Sequence, residues 1–146
     1  MRFNPSQVIK SMKLLLKSKT VSISINCKPE KIYKFASDLR NFPEWAKTFC
    51  RAVKKSKGKW IVETPQGPVV IRLAKKNGFG ILDHYISPSA GVEVFVPVRV
   101  VPNASGSEVI FTVFQQANMT NESFKNDIAL VEKDLKRLKR VMEAKS

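Results

Sequence analysis

The sequence predicts an α+β domain in which a curved antiparallel sheet wraps a long C-terminal helix. Three observations predict it. First, short apolar strands follow one another, separated by turn-forming residues: K-G-K at 57–59, P-Q-G-P at 65–68, N-G at 77–78, S-P-S-A-G at 87–91 and P-N-A-S-G-S at 102–107. Second, Phe124, Ile128, Val131, Leu135, Leu138 and Met142 step by four and three, an unbroken helical stripe over about 121–143. Third, V-S-I-S-I-N-C at 21–27 alternates as a half-buried strand does. A long amphipathic helix after a meander must bury its stripe on the sheet, which leaves an elongated interior space.

The elements follow in order. Residues 1–19 form a basic lead segment in which Val8, Ile9, Met12, Leu15 and Leu16 recur at helical spacing, predicting a short amphipathic helix. The main domain is expected over 20–146. Pro29 suits the first position of a helix carrying Ile32, Tyr33, Phe35 and Ala36, which ends near Asp38. A second short helix or turn carries Phe42, Pro43 and Trp45. Six strands follow. Glu122 and Asp127 near the start of the last helix, and Lys136, Arg137, Lys139 and Arg140 near its end, complement its dipole.

The 146 residues hold 43% hydrophobic and 26% charged side chains, an ordinary globular balance for one domain. No run is apolar enough for a membrane span, and Leu14-Leu15-Leu16 is too short for a signal-peptide core, so a cytoplasmic protein is expected. Cys27 and Cys50 fit no metal or redox spacing and read as free thiols. One compositional anomaly is the net charge of +14. It favours weak contact with anionic membranes or nucleic acid, or it is simply a lysine-rich solvated surface.

With one histidine and scattered carboxylates, no metal site and no cofactor are expected. Neither nucleotide-binding glycine motifs nor hydrolase signatures occur. His84 stands beside Asp83 in N-G-F-G-I-L-D-H at 77–84 and invites a catalytic reading. Register argues against a dyad, because neighbours on a strand point to opposite faces. If Asn77-Gly78 is a two-residue turn, Arg72 pairs with Asp83 and Ile71 with His84. A tight turn at 66–67 would then pair Val62 with Ile71, and the S-P-S-A-G turn would set His84 opposite Val94. Across P-N-A-S-G-S, Val98 meets Phe111 and Val100 meets Val109. One face then gathers Trp60, Val62, Thr64, Ile71, His84 and the even-numbered valines 92–100. The other carries Glu63, Arg72, Asp83, Arg99 and Glu108 with several apolar side chains, and the lead helix or a second subunit is a candidate cover. On that outer face a pair between Arg99 and Glu108 is the simple expectation.

The stretches P-E-K-I-Y-K-F-A-S-D at 29–38, N-F-P-E-W at 41–45, T-P-Q-G-P-V, N-G-F-G-I-L-D-H, P-V-R-V-V-P-N and S-E-V-I-F-T resemble the START-like, or SRPBCC, superfamily. The later ones are similar to an uncharacterised subgroup of its polyketide cyclase/dehydrase-type members. The resemblance covers about 20–143 and implies the helix-grip fold with a cavity for a small hydrophobic or amphipathic ligand. The expected ligand contacts are His84, Trp45, Trp60, Thr64, Val96, Phe111 and Ile128, with His84 orienting the ligand. Two alternatives stay open: a cyclase/dehydrase-type enzyme with His84 as acid/base, and an interaction module that meets anionic partners through its basic surface. A homodimer is a further expectation.

Overall fold

The computed structural model describes residues 15–146. Strand β1 (Ser18–Ile25) leads into α1 (Pro29–Ala36), a 3-10 turn at Leu39–Asn41 and the short α2 (Phe42–Trp45). Seven strands follow: β2 (Ala52–Ser56), β3 (Lys59–Thr64), β4 (Gly67–Leu73), β5 (His84–Ser87), β6 (Val94–Val96), β7 (Val98–Asn103) and β8 (Gly106–Phe114). Helix α3 (Asn121–Lys145) closes the chain. Most of the expected lead helix falls on residues 1–14, outside the described residues; residues 15–17 have no regular structure and β1 begins at Ser18.

All strand pairs are antiparallel. A five-stranded ladder β2-β3-β4-β5-β6 adjoins a three-stranded one, β1-β8-β7. Pro97 breaks the run between β6 and β7, since proline has no N–H for the ladder. The residues before β5 cross the break: Leu82 N–H donates to Val98 O (2.8 Å), Val100 N–H to Gly80 O (2.9 Å), and Ile81 bridges Arg99. The result is one curved sheet with β1 and β2 at its edges, gripping α3 against β1, β8 and α2. This is the helix-grip arrangement.

The core follows from strand parity and the helical stripe. Val62, Ile71, Leu82, His84, Val98, Val100 and Val109 are buried on the concave face, and Phe124, Leu135, Leu138 and Met142 on the helix. Thr120 caps α3 by accepting from Ser123 N–H (3.0 Å). The other end is tied to β1, where Lys139 Nζ donates to Ser24 O (2.8 Å) and Asn26 N–H to Glu143 Oε2 (2.9 Å).

The expected register holds for β7–β8, where Val98 faces Phe111 and Val100 faces Val109. Three other pairings shift by two residues. Trp60, not Val62, faces Ile71; His84 faces Leu73 and, across β5–β6, Val96. Shifts of two keep every side chain on its expected face. Their causes are local. The β3–β4 turn is Pro65-Gln66, closed by Thr64 opposite Gly67. Asn77-Gly78 is not a type I′ turn, which would need positive φ at both residues; Gly80 carries it instead (φ +71). Asn77 builds a wider loop with its own side chain. Its Oδ1 accepts from Phe79 and Ile81 N–H, and its Nδ2 donates to Lys75 and Ile81 carbonyls.

The shifted register also re-pairs the outer charges. Arg72 faces Tyr85 rather than Asp83. Its guanidinium lies 4.4 Å from the Tyr85 ring centre and meets Glu93 at 3.1 Å. Asp83 instead takes both arms of Arg99 (3.1 and 2.8 Å) and the Val98 N–H (2.9 Å). Those bonds, the Arg99 one foremost, hold its carboxyl below the usual carboxylate range. Glu108 is thus left to Ser24 and Asn103 rather than to Arg99.

Candidate functional site

His84 points inward and Asp83 outward, so the two form no hydrogen-bonded dyad. The imidazole is buried, edge-on to Phe42 (6.5 Å between centres) and Phe111 (6.4 Å). Its Nδ1 lies 3.0 Å from the Leu82 carbonyl. A carbonyl only accepts, so Nδ1 carries the proton and Nε2 a lone pair. Burial pushes the imidazole below its ordinary 6.5, against the opposing pull of the Leu82 carbonyl and Asp83. An unfolded chain takes up this proton near 6.5 while the folded one resists it. The corresponding stability is therefore present above 6.5 and lost as pH falls through the folded value. His84 ring signals are expected to titrate below 6.5 by NMR, and His84→Gln to flatten the fall in stability on acidification. A normal histidine titration would contradict this burial.

The expected ligand contacts divide into separate places. Val96 lies opposite His84, and Phe111 packs on it, so these three form one compact apolar knot around Phe42. Trp45 packs on the same Phe42 ring (5.5 Å), and its buried Nε1–H has no hydrogen-bond partner among the described residues. Thr64 is taken up by its turn: its hydroxyl donates to Gly67 O (2.6 Å) and accepts from Gln66 N–H. Ile128 is half-buried on α3. Only Trp60 lines the large open space described next.

That space is a cleft of about 1430 Å³. One wall is α1 with the turn after it, contributing Phe35 and Leu39. The opposite wall is sheet, with Trp60 from β3 and the inward-facing Ile71 and Leu73 from β4, and Met142 of α3 reaches in from the end; Val70 and Arg72 border the space from the outer face. Leu39, Ile71 and Met142 make a buried apolar floor. The rim is cationic. Lys55 Nζ stands 5.6 Å from the Trp60 ring centre and Lys145 Nζ 5.3 Å from that of Phe35. The 75–83 loop is tied to this rim by Asn77 N–H donating to Tyr33 Oη (3.0 Å). His84 is not part of the lining.

Sequence reasoning missed the α1 side of the cleft: Phe35 read as part of a short helix, and Leu39, just beyond that helix, was not singled out. It also missed Asp134. This carboxylate is buried on α3, accepts from Thr48 Oγ1 (2.6 Å) and N–H (3.1 Å), and meets Arg137 Nη1 at 2.9 Å. Arg137 Nη1 also donates to the Trp45 carbonyl (3.2 Å), pinning α2 to α3. Burial raises the Asp134 carboxyl above 3.8 against these bonds. Elsewhere burial pushes the Cys50 thiol up to about 11, which keeps it protonated and a poor nucleophile. Among the described residues no group of three or more His, Cys, Asp or Glu is placed to hold a metal ion. Nor is any helix among them long and apolar enough to cross a membrane.

The fold is the helix-grip arrangement, a curved antiparallel sheet around a long C-terminal helix, with an open cleft beside α1. No family model and no curated protein matches the sequence. Solved structures do. The chain is similar to the protein XoxI from Bacillus cereus (TM-score 0.71, 18% identity, covering 87% of this chain and 96% of that one). It is similar to the Aha1 dimer from Colwellia psychrerythraea (TM-score 0.69, 13% identity, 88% and 97%). It is also similar to Ara h 8.0201 (TM-score 0.63, 13% identity, 89% and 99%). At these identities the likeness is one of fold.

Proposed function

We propose that the chain is a binding protein for a small amphipathic molecule, held in the cleft between α1, the β3–β4 hairpin and the end of α3. One observation carries this reading: an apolar floor of Leu39, Ile71 and Met142 lies at the bottom of a cleft of about 1430 Å³ that opens to solvent. Drug-sized ligands occupy sites of about 300–1,000 Å³, so the cleft has room for one. Covering apolar surface gains about 25 cal/mol per Å². Trp60 stands beside that floor, where a bound apolar body would stack on its ring. The buried knot around His84 then serves packing, and orientation of the ligand falls to the rim. A cytoplasmic setting goes with this reading, since Cys27 and Cys50 are free thiols.

Native mass spectrometry of protein purified from its own host tests the reading. An apolar or amphipathic mass retained by the native protein and lost in Trp60→Asp is the expected result. A native protein that never carries such a mass, and binds none from a lipid extract, would contradict it.

A further inference from the structure

We propose that the cleft selects an amphipathic anion, a molecule with an apolar body and a carboxylate, sulfate or phosphate head; this rests on the ligand-binding reading above. The lining carries eight Lys and Arg side chains among its 22 residues, whereas the whole chain carries 26 among 146. General basicity therefore accounts for only about half of the positive charge gathered here. The six lysines come from separate parts of the fold: Lys31 and Lys34 from α1, Lys55 and Lys59 from the β2–β3 hairpin, Lys76 from the 75–83 loop and Lys145 from the end of α3.

The negative charge in the lining is already used. Asp38 is paired with Arg40 (2.7 Å) and Glu93 with Arg72 (3.1 Å). None of the six lysines has a carboxylate within ion-pair distance among the described residues. Like charges brought together at a cleft repel one another, and an anionic ligand head relieves that repulsion. The positions of the charges fit an amphipath rather than a bare anion. Lys55 and Lys145 stand over the faces of Trp60 and Phe35, so cationic heads border apolar rings directly. An apolar body on the floor places its head among the ammonium groups.

The test uses the full chain and three probes with one tail: dodecanoate, dodecanol and dodecyltrimethylammonium. The two ionic probes are titrated below their micelle concentrations and dodecanol below its aqueous solubility, by calorimetry and by Trp60 fluorescence, with Trp60→Phe as the optical blank. Dodecanoate is expected to bind at least about tenfold tighter than dodecanol, with the ammonium probe weakest. The preference is expected to shrink with added salt. Lys59→Glu/Lys76→Glu is expected to abolish it and leave dodecanol affinity in place, while the distant pair Lys125→Glu/Lys133→Glu retains it. Equal affinity for dodecanoate and dodecanol would overturn the proposal and leave the ligand-binding reading standing. Binding of none of the three would overturn both. Acetate binding as tightly as dodecanoate would overturn it in favour of a free anion. Capture by phosphatidylglycerol vesicles without binding of monomeric dodecanoate would overturn it in favour of a membrane surface.

Discussion

Gly80→Ala is expected to lower the stability of the protein by about 2–5 kcal/mol, among the largest effects of any single methyl group in the chain. Two costs add. The residue has φ +71, a left-handed conformation that costs a side-chain-bearing residue about 1–2 kcal/mol. A Cβ built there would also collide with the carbonyl oxygen of Val100. That oxygen is backbone of a central strand and cannot swing aside. Relief requires separating the loop from β7, at the cost of Val100 N–H to Gly80 O and Leu82 N–H to Val98 O. Each is worth about 0.5–1.5 kcal/mol. These are the bonds that carry the sheet across the break at Pro97. Gly78→Ala is the matched control. Its Cβ would meet nothing within 4 Å and its φ is not left-handed, so a change within about 0.5 kcal/mol is expected. Urea unfolding of the two variants side by side checks the pair. Equal effects would contradict the role assigned to Gly80.

Asp134→Ala is expected to cost about 2–4 kcal/mol. The carboxylate satisfies Thr48 twice and Arg137 once inside the seam between α3 and the segment after α2. Removing it strands the Thr48 N–H and leaves Arg137 without its counter-charge, and losing one partner of a buried pair is costly. Asp134→Asn keeps an oxygen for Thr48 and is expected to cost about half as much. The pH dependence has a definite sign. Burial is the largest influence and raises the folded carboxyl above its ordinary 3.8. Its contribution to stability is therefore fully present below 3.8 and is lost as pH rises through the folded value. The gap between the native protein and Asp134→Asn is expected to be widest in acid and to narrow as pH rises. A gap that widens towards neutrality would mean that ion pairing, not burial, dominates at this site.

Asp134 also shows where sequence reasoning stops. On the helical stripe it is one more charge beside Leu135. What buries it is Thr48, 86 positions away, in a segment whose path no periodicity reveals. The sheet was far more legible. Strand faces depend on parity alone, and turn chemistry set parity correctly at each hairpin even where the pairing slid by two residues. The slides came from side chains that rebuild a turn. Asn77 binds four backbone groups of its own loop and widens it, and Thr64 closes a tight turn around Pro65 and Gln66. The outer charges followed the slide, which moved Asp83 from Arg72 to Arg99. Of the cleft, Trp60 was legible from its place on the inner face. Leu39 and Met142 were not, because they meet only after α1 and α3 have packed from opposite ends of the chain.

The placement of the ligand is tested most directly by two-dimensional amide NMR during a dodecanoate titration. A cleft site predicts the largest shifts at Phe35, Leu39, the Trp60 indole, Ile71 and Met142, with the Trp45 indole, Val98 and Phe111 unmoved. Largest shifts at Val96, Phe111 and the Trp45 indole, around His84, would contradict it and return the site to the interior knot.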